Sequence, residues 1–298
     1  MNNYKFRNEN LGELYEKYAS KKLKKCIACG KTSFKKWAQS GPYKAYKCNN
    51  CNLVFMNPQL NEDGLTDYYS NYIGKRRLSN TLKMKQRSIQ YVQDANLIKS
   101  FIKKGKILDV GCNGGFFLDE MGSQFTRFGT ELDSSAVQYA KSNYGEFASN
   151  IYNGSLSKAK FENDSFDLVM MRGVIEHVPD PEESINEVSR ILKPGGLFYI
   201  CATPNGESFC ADLYRENWTL YHPVQHLWHF SPNNLSILCS KSNLSLEWKD
   251  FPYLNTPYEN VRVDAKKIAQ KIINNNDENI SPPFFENMMS LVFKKNSK

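Results

Sequence analysis

Four of the eight cysteines fall in two tight pairs, Cys26-Ile27-Ala28-Cys29 and Cys48-Asn49-Asn50-Cys51. The spacing C-x2-C-x18-C-x2-C lies in the zinc-ribbon range. Each pair can hold two thiolates about 2.3 Å from one tetrahedral ion, and Gly30 suits the tight knuckle after the first pair. Disulfides are the competing account, but nothing in the sequence marks secretion. The expectation is therefore a structural Zn2+ on Cys26, Cys29, Cys48 and Cys51. Four thiolates close its coordination and leave no position for substrate.

A second candidate is the turn Asp109-Val110-Gly111-Cys112-Asn113-Gly114-Gly115-Phe116. A glycine-rich turn between a strand and a helix brings backbone N–H groups close to a ligand. The dinucleotide pattern G-x-G-x-x-G fails, because Asn113 holds the second glycine position and Phe116 the third. Walker A fails too, since no Gly-Lys-Ser/Thr follows. Glu131 ends the next apolar run, 20 residues after Gly111, where an acid can accept both hydroxyls of a ribose. A third cluster is histidine-rich: His222, His226 and His229 crowd into Tyr221–Phe230. A neutral histidine can take a proton from a hydroxyl, amine or activated carbon. His226 is the first choice as base and His222 the second. His229 reads as packing or capping, His177 as structural, and a histidine metal site lacks a clear third ligand.

These residues need elements to position them. Residues 10–25 read as a charged helix, and SFKKWAQ and YKAYKC as hairpin strands between the cysteine pairs. A polar, tyrosine-rich connector follows Asn57-Pro58. Helical spacing then runs over 75–103 through Leu78, Leu82, Ile89, Val92, Leu97 and Ile98. From Lys106 onward KILDV, RFGTE, FDLVMM and GLFYICA read as buried parallel strands alternating with helices. One helix should begin at Asp180 as N-cap with Pro181 first, and stop at Pro194-Gly195-Gly196. Another should begin at Ser231 as N-cap with Pro232 first. LSLEWKD and NMMSLVF read as a closing strand pair around an amphipathic insertion near 258–275. The alternation implies an α/β domain, a parallel sheet with helices on both faces, preceded by a small four-cysteine zinc ribbon. The expected divisions are 1–60 (helix and ribbon), 61–105 (connector and helix) and 106–298 (the α/β domain).

The 298 residues are 41% hydrophobic and 23% charged, enough apolar material for a sizeable core. No apolar run reaches the roughly 20 residues of a membrane helix, and the start has no signal-peptide core, so the chain reads as soluble and cytoplasmic. The net charge of +8 is unevenly spread: residues 1–105 carry 21 Lys and Arg against 7 Asp and Glu. Most of the basic residues are lysines, which give point charges rather than bidentate recognition.

ILDVGCNGGFFL, GTELDSSAVQYAK, SFDLVMMRGVIEHVPDP and EVSRILKPGGLFYI together resemble the class I S-adenosylmethionine-dependent methyltransferases, in that family's order, over about 106–204. The front half is similar to a subgroup whose zinc ribbon runs into a segment like LVFMNPQL and a tyrosine-rich stretch, and whose members often act on sugars or other small metabolites. The resemblance implies a Rossmann-like seven-stranded, mostly parallel sheet with helices on both faces, and it implies that Asp109 and the turn of Gly111, Cys112, Asn113 and Gly115 hold the methionine end of S-adenosylmethionine. It implies Glu131 on the ribose, Leu132 against the adenine, and Ser155 and Leu156 edging it. Met171 and Arg172 would face the sulfonium. Arg87 could pair with the cofactor carboxylate or lie on a solvated helix face. Asn113 departs from the family's glycine, but Asn tolerates left-handed backbone.

The expected activity is methyl transfer from S-adenosylmethionine to a small metabolite, a sugar or a nucleotide-linked sugar. The competing readings are an RNA methyltransferase whose basic ribbon grips phosphates, and a cofactor-binding pseudoenzyme scaffold. The acceptor atom and the oligomeric state are not encoded in these patterns.

Overall fold

Two sheets carry the chain. A computed structural model describes residues 10–68, 81–274 and 280–297. These residues divide into two compact units: 10–68 with Pro204–Ile237 and Phe251–Met289, and 81–203 with Leu238–Asp250 and 290–297.

The first unit opens with α1 (Asn10–Tyr18). This helix is shorter than the expected 10–25, because Lys21 leaves it to exchange backbone hydrogen bonds with Gln59. The expected hairpin follows as β1 (Phe34–Ser40) and β2 (Tyr43–Cys48), turned at Gly41 with φ 55°. Next come β3 (Val54–Met56) and α2 (Glu62–Tyr68). The fourth strand of this sheet arrives from far along the chain: β9 (Trp228–His229) pairs antiparallel with β3, Val54 opposite His229 and Phe55 opposite Trp228. Trp37, Tyr43, Leu53, Phe55, Trp218, Trp228 and Phe230 are buried in this unit.

The second unit holds a seven-stranded sheet in the order β10-β11-β8-β7-β4-β5-β6. Its strands are β4 (Gly105–Val110), β5 (Phe125–Glu131), β6 (Ile151–Asn153), β7 (Phe166–Arg172), β8 (Leu192–Pro204), β10 (Leu244–Asp250) and β11 (Met288–Lys295). Strands β4 to β8 pair in parallel, while β10 and β11 pair antiparallel to each other. The parallel strands are apolar because both faces are covered. Ile107, Leu168, Met170, Tyr199 and Cys201 bury against α3 (Thr81–Phe101), α4 (Phe116–Met121) and α5 (Ser134–Asn143). Residues 69–80, including Leu78 and most of the tyrosine stretch, lie outside the described residues, as does the side chain of Leu82.

Helix α6 (Pro181–Ile191) starts as expected, with the Asp180 carboxylate accepting from the Glu183 N–H. Its end corrects the expectation. The helix stops at Ile191, and β8 begins at Leu192 and runs through Pro194-Gly195-Gly196. Leu192 is fully buried and pairs with Phe166, so sheet burial overrides the helix-breaking triplet as the terminator. Helix α7 (Phe209–Tyr214) is capped by Ser208, whose side chain accepts from the Ala211 N–H. Helix α8 (Pro232–Lys241) begins where its cap residues indicate: Ser231 Oγ accepts from the Asn234 N–H, and Asn234 Oδ1 accepts from the Ser231 N–H. Helix α9 (Val261–Asn274) occupies the insertion between β10 and β11.

The sheet order also contains a reversal of winding. From the central strand β4 the chain winds outward through β5 and β6, then returns to the other side of β4 for β7 and β8. Open α/β sheets bind ligands at the carboxyl ends of the strands flanking such a reversal.

Candidate active site and cysteine centre

The carboxyl ends of β4, β5 and β7 carry most of the expected cofactor residues. The turn after β4 is left-handed at Gly111 (φ 74°), Asn113 (φ 50°) and Gly115 (φ 84°). A Cβ on Gly111 would lie 2.8 Å from Val174 Cγ2, so backbone conformation and space both demand glycine there. Asn113 takes the left-handed conformation that glycine would otherwise supply. The turn is tied to β5 by the N–H groups of Gly111 and Cys112, which both donate to the Thr130 carbonyl (2.8 and 3.0 Å). The Cys112 side chain is buried in the sheet's core, and its Sγ donates to the Asn113 carbonyl within the turn (3.7 Å).

Glu131 is built into the same loop. Its Oε2 accepts from the Asn113 N–H (2.8 Å) and its Oε1 from the Asp133 N–H (2.9 Å), which fixes the carboxylate at the end of β5. Asn153, ending β6, donates to the carbonyls of Glu131 (2.8 Å) and Leu132 (3.3 Å). Leu132 is 73% exposed, an apolar side chain held in water beside this carboxylate. Ser155 Oγ lies 3.3 Å from Ser157 Oγ, and Leu156 is buried.

Asp109 is buried, and its Oδ1 has no hydrogen-bond partner among the described residues. Burial holds its carboxyl well above the ordinary range; Arg172 opposes that shift, while Glu131 and Asp94 add to it. A buried acceptor without a donor signals an absent water, ion or ligand. A cationic group beside it would restore the ionised form.

Arg172 ends β7, but its side chain is already engaged. Its Nε donates to Asp94 Oδ2 (2.8 Å), its Nη2 to Gln90 Oε1 (3.1 Å), and the guanidinium lies 4.8 Å from the centre of the Tyr91 ring. Asp94 also accepts from the Tyr199 hydroxyl (2.8 Å). Met171 is buried beside it in β7. Arg87 is half-buried on α3, one turn before Tyr91. Burial raises the Tyr91 hydroxyl above its usual value, and the charges of Arg172 and Arg87 oppose this. Tyr91 stacks on Phe116, the residue in the third glycine position (centroids 6.0 Å apart, planes 19° apart). Sequence reasoning missed Asp94, Tyr91 and Asn153. Asp94 lies 78 residues from Arg172, and no local pattern could have joined them.

In the first unit the four sulfurs of Cys26, Cys29, Cys48 and Cys51 lie within 4.8 Å of one another. Cys26 and Cys51 Sγ are 3.5 Å apart, Cys29 and Cys48 Sγ 3.6 Å. A tetrahedron with bonds of about 2.3 Å has edges of about 3.8 Å. The two knuckles repeat one backbone design. Gly30 N–H donates to the Cys26 carbonyl and Asn52 N–H to that of Cys48, each from a left-handed residue (φ 73° and 62°). Asn52 thus does for the second pair what Gly30 does for the first, and a sequence reading keyed to glycine passes over it.

The histidine cluster belongs to the first unit as well. His226 Nδ1 is 2.8 Å from the Leu220 carbonyl. A carbonyl only accepts, so the neutral ring carries its proton on Nδ1 and presents Nε2 as the lone-pair nitrogen. The His222 ring stands edge-on to it (4.8 Å). His229 is fully buried between Trp218 and Tyr221 (5.6 Å each).

Among known proteins, the chain is 31% identical over 109 residues to a ubiquinone biosynthesis O-methyltransferase of Thiobacillus denitrificans, covering 35% of this chain and 47% of that protein. It thus spans about half the length of the curated relatives it matches. Two solved structures share the fold: a chain in the complex of the Haloferax volcanii methyltransferase activator Trm112 (TM-score 0.55, 15% identity, 78% of this chain and 98% of that one) and the [4+2]-cyclase SpnF (0.50, 13%, 70% and 81%). A family model described as a methyltransferase domain matches residues 83–247, more than half of the sequence, and the chain belongs to that methyltransferase family.

Proposed function

We propose that the chain transfers a methyl group from S-adenosylmethionine to a small-molecule acceptor, a sugar or nucleotide-linked sugar in the first instance. The observation that carries this is Glu131, fixed by two backbone N–H groups at the end of β5 and tied through Asn113 to the left-handed turn after β4. That carboxylate suits a pair of ribose hydroxyls. The turn suits a ligand that must approach backbone closely, and the unpartnered Asp109 Oδ1 suits an ammonium group. The donor, when bound, supplies an already activated methyl on a sulfonium. The protein's share is then orientation and exclusion of water. Asp94 neutralises Arg172, so a sulfonium beside β7 would meet an ion pair rather than a bare cation.

Where the acceptor must lose a proton, His226 is the proposed base, with His222 second. The Leu220 carbonyl sets the tautomer that makes Nε2 of His226 the basic nitrogen. The four cysteines are proposed to hold one structural Zn2+, supported by four sulfurs that all lie within 4.8 Å of one another. A relative named as a ubiquinone biosynthesis O-methyltransferase favours, as a second reading, methylation of an acceptor oxygen, for which loss of a hydroxyl proton is the same chemistry.

The test is label transfer. Purified protein with methyl-labelled S-adenosylmethionine should label small acceptors, sugar nucleotides included, in a competition containing RNA. Label entering RNA alone would reverse the choice of substrate, and cofactor binding without turnover on any acceptor would favour a scaffold.

A further inference from the structure

The charges around the turn after β4 do not all pull one way. At the buried Asp109 carboxyl, Glu131 and Asp94 oppose ionisation, and Arg172 favours it. Arg172 is held by α3, on which Gln90 and Asp94 stand one turn apart and share a face. Asp94 Oδ2 accepts from Arg172 Nε (2.8 Å) and Gln90 Oε1 from its Nη2 (3.1 Å). Asp94 Oδ1 accepts from the Tyr199 hydroxyl (2.8 Å), so both carboxylate oxygens are used, one towards β7 and one towards β8. The Arg172 and Asp94 side chains are 13% and 15% exposed, and a pair this sheltered is weakly screened by salt.

A sulfonium methyl donor changes charge in use. When the S–CH3 bond breaks, its electron pair stays on sulfur, and the methyl joins a lone pair of the acceptor, whose proton passes to the base. The spent donor, S-adenosylhomocysteine, keeps a neutral thioether. Donor and spent donor thus differ by one methyl and one positive charge, a few bonds from the ammonium that Asp109 is proposed to hold. A charge that acts on the Asp109 carboxyl therefore acts on that sulfur as well. A bare Arg172 would penalise the charged donor and spare the spent one. Paired with Asp94, it penalises neither.

We propose that Asp94 is a specificity-determining residue of the methyl-donor site: by cancelling the charge of Arg172, it lets the carboxylates of Asp109 and Glu131 favour the charged donor over its neutral product. Asp94 acts through Arg172, as a positioning residue, and the proposal rests on the methyl-donor reading above.

Titration calorimetry of the whole chain with each ligand tests it. The readout is the dissociation constant of S-adenosylhomocysteine divided by that of S-adenosylmethionine. Asp94→Asn keeps the side chain's size and removes its charge. The ratio should fall by roughly tenfold or more, the scale of a unit charge about 10 Å away at an effective dielectric of about 20. Arg172→Met leaves Asp94 unopposed, and the ratio should rise. The double variant removes both charges and should return to within about threefold of the parent. Arg87 is unchanged throughout and drops out of the comparison. Opposite shifts from the two halves of one ion pair separate charge from packing, because a lost structural contact weakens both ligands alike. Where Asp94→Asn unfolds, with a sheltered guanidinium left unpaired, the step from Arg172→Met to the double variant removes the same carboxylate charge and should also lower the ratio. An unmoved ratio, or shifts of the same sign from both single variants, would overturn the proposal while leaving donor binding intact. A parent that binds neither ligand would overturn the methyl-donor reading, and this proposal with it.

Discussion

Glu131 and Glu176 are two glutamates near the strand ends with opposite environments, and each makes a prediction. Glu131 accepts two backbone N–H groups and is proposed to accept from the ribose hydroxyls of the cofactor. Replacing it by Ala should weaken S-adenosylmethionine binding by about 1.5–3 kcal/mol, the scale of a hydrogen bond to a charged group. Titration calorimetry giving equal affinity for Glu131→Ala and the parent would remove the ribose assignment. Glu176 is instead buried, accepts from Thr203 Oγ1 (3.2 Å), and burial pushes its carboxyl up to about 8. The folded form therefore holds its proton where the unfolded chain, near 4.5, has released it. Its favourable contribution is complete below about 4.5 and is lost as pH rises towards 8. Glu176→Gln, which cannot ionise, should gain stability relative to the parent on going from pH 5 to pH 8, by an amount on the order of a few kcal/mol. Denaturant titrations at the two pH values read this difference, and an equal effect at both would place the carboxyl's titration in the ordinary range. For His226 the expectation is kinetic. His226→Ala should lower turnover about 10²–10⁴-fold with cofactor affinity nearly unchanged. Parental turnover from pH 6 to 9 would assign proton removal elsewhere.

At the scale of elements, what the sequence revealed followed from locality. The cap at Asp180, the cap at Ser231, the hairpin between the cysteine pairs and the alternation of strands and helices each depend on residues within a few positions. The Gly111 turn was readable for the same reason, because a left-handed backbone near a ligand restricts residue type at each position. What escaped was set by distant partners. Two residues, Trp228 and His229, become a strand only because β3 offers an open edge, and nothing in WH alone says so. Leu192 ends a helix because Phe166 pairs with it in the sheet, although Pro194-Gly195-Gly196 carries the stronger local stop. Arg172 could be placed at a strand end, but its engagement with Asp94 needed α3 to be folded over it. The cysteine knuckles lie between these extremes: the spacing was local, yet Asn52 as the second left-handed residue emerged only from the backbone. If the four cysteines hold the proposed zinc, its binding free energy is also folding free energy for this small sheet. Cys48→Ser should therefore lose stoichiometric zinc by metal analysis and lose protection of the β1–β3 sheet in hydrogen exchange. Retention of both would refute a structural zinc.

The whole molecule joins two units by a chain that crosses between them more than once, since residues 204–237 and 251–289 belong with the ribbon. The cradle built from Asp109, Gly111 and Glu131 lies entirely in the sheet unit, while the cysteines and His226 lie in the ribbon unit. Fold alone does not fix the reaction on such a scaffold, as the shared fold of a [4+2]-cyclase illustrates. The division itself supplies a test that reads both ligand assignments at once. Where the units melt separately, a ligand stabilises the one that binds it, by RT ln(1 + [L]/Kd), which is about 2.7 kcal/mol at a hundredfold excess over Kd. S-adenosylmethionine should thus raise the melting of the sheet unit, followed by near-ultraviolet signals of a tryptophan confined to it, Trp248. A zinc chelator should lower the melting of the ribbon unit, followed by Trp37, Trp218 and Trp228. Single-tryptophan variants would separate the two signals. If the chelator lowers the Trp248 transition as much as the others, while the cofactor raises all of them equally, the units unfold as one body and the ligands report on the whole chain. If the cofactor shifts only the ribbon signals, the cradle after β4 is not its site.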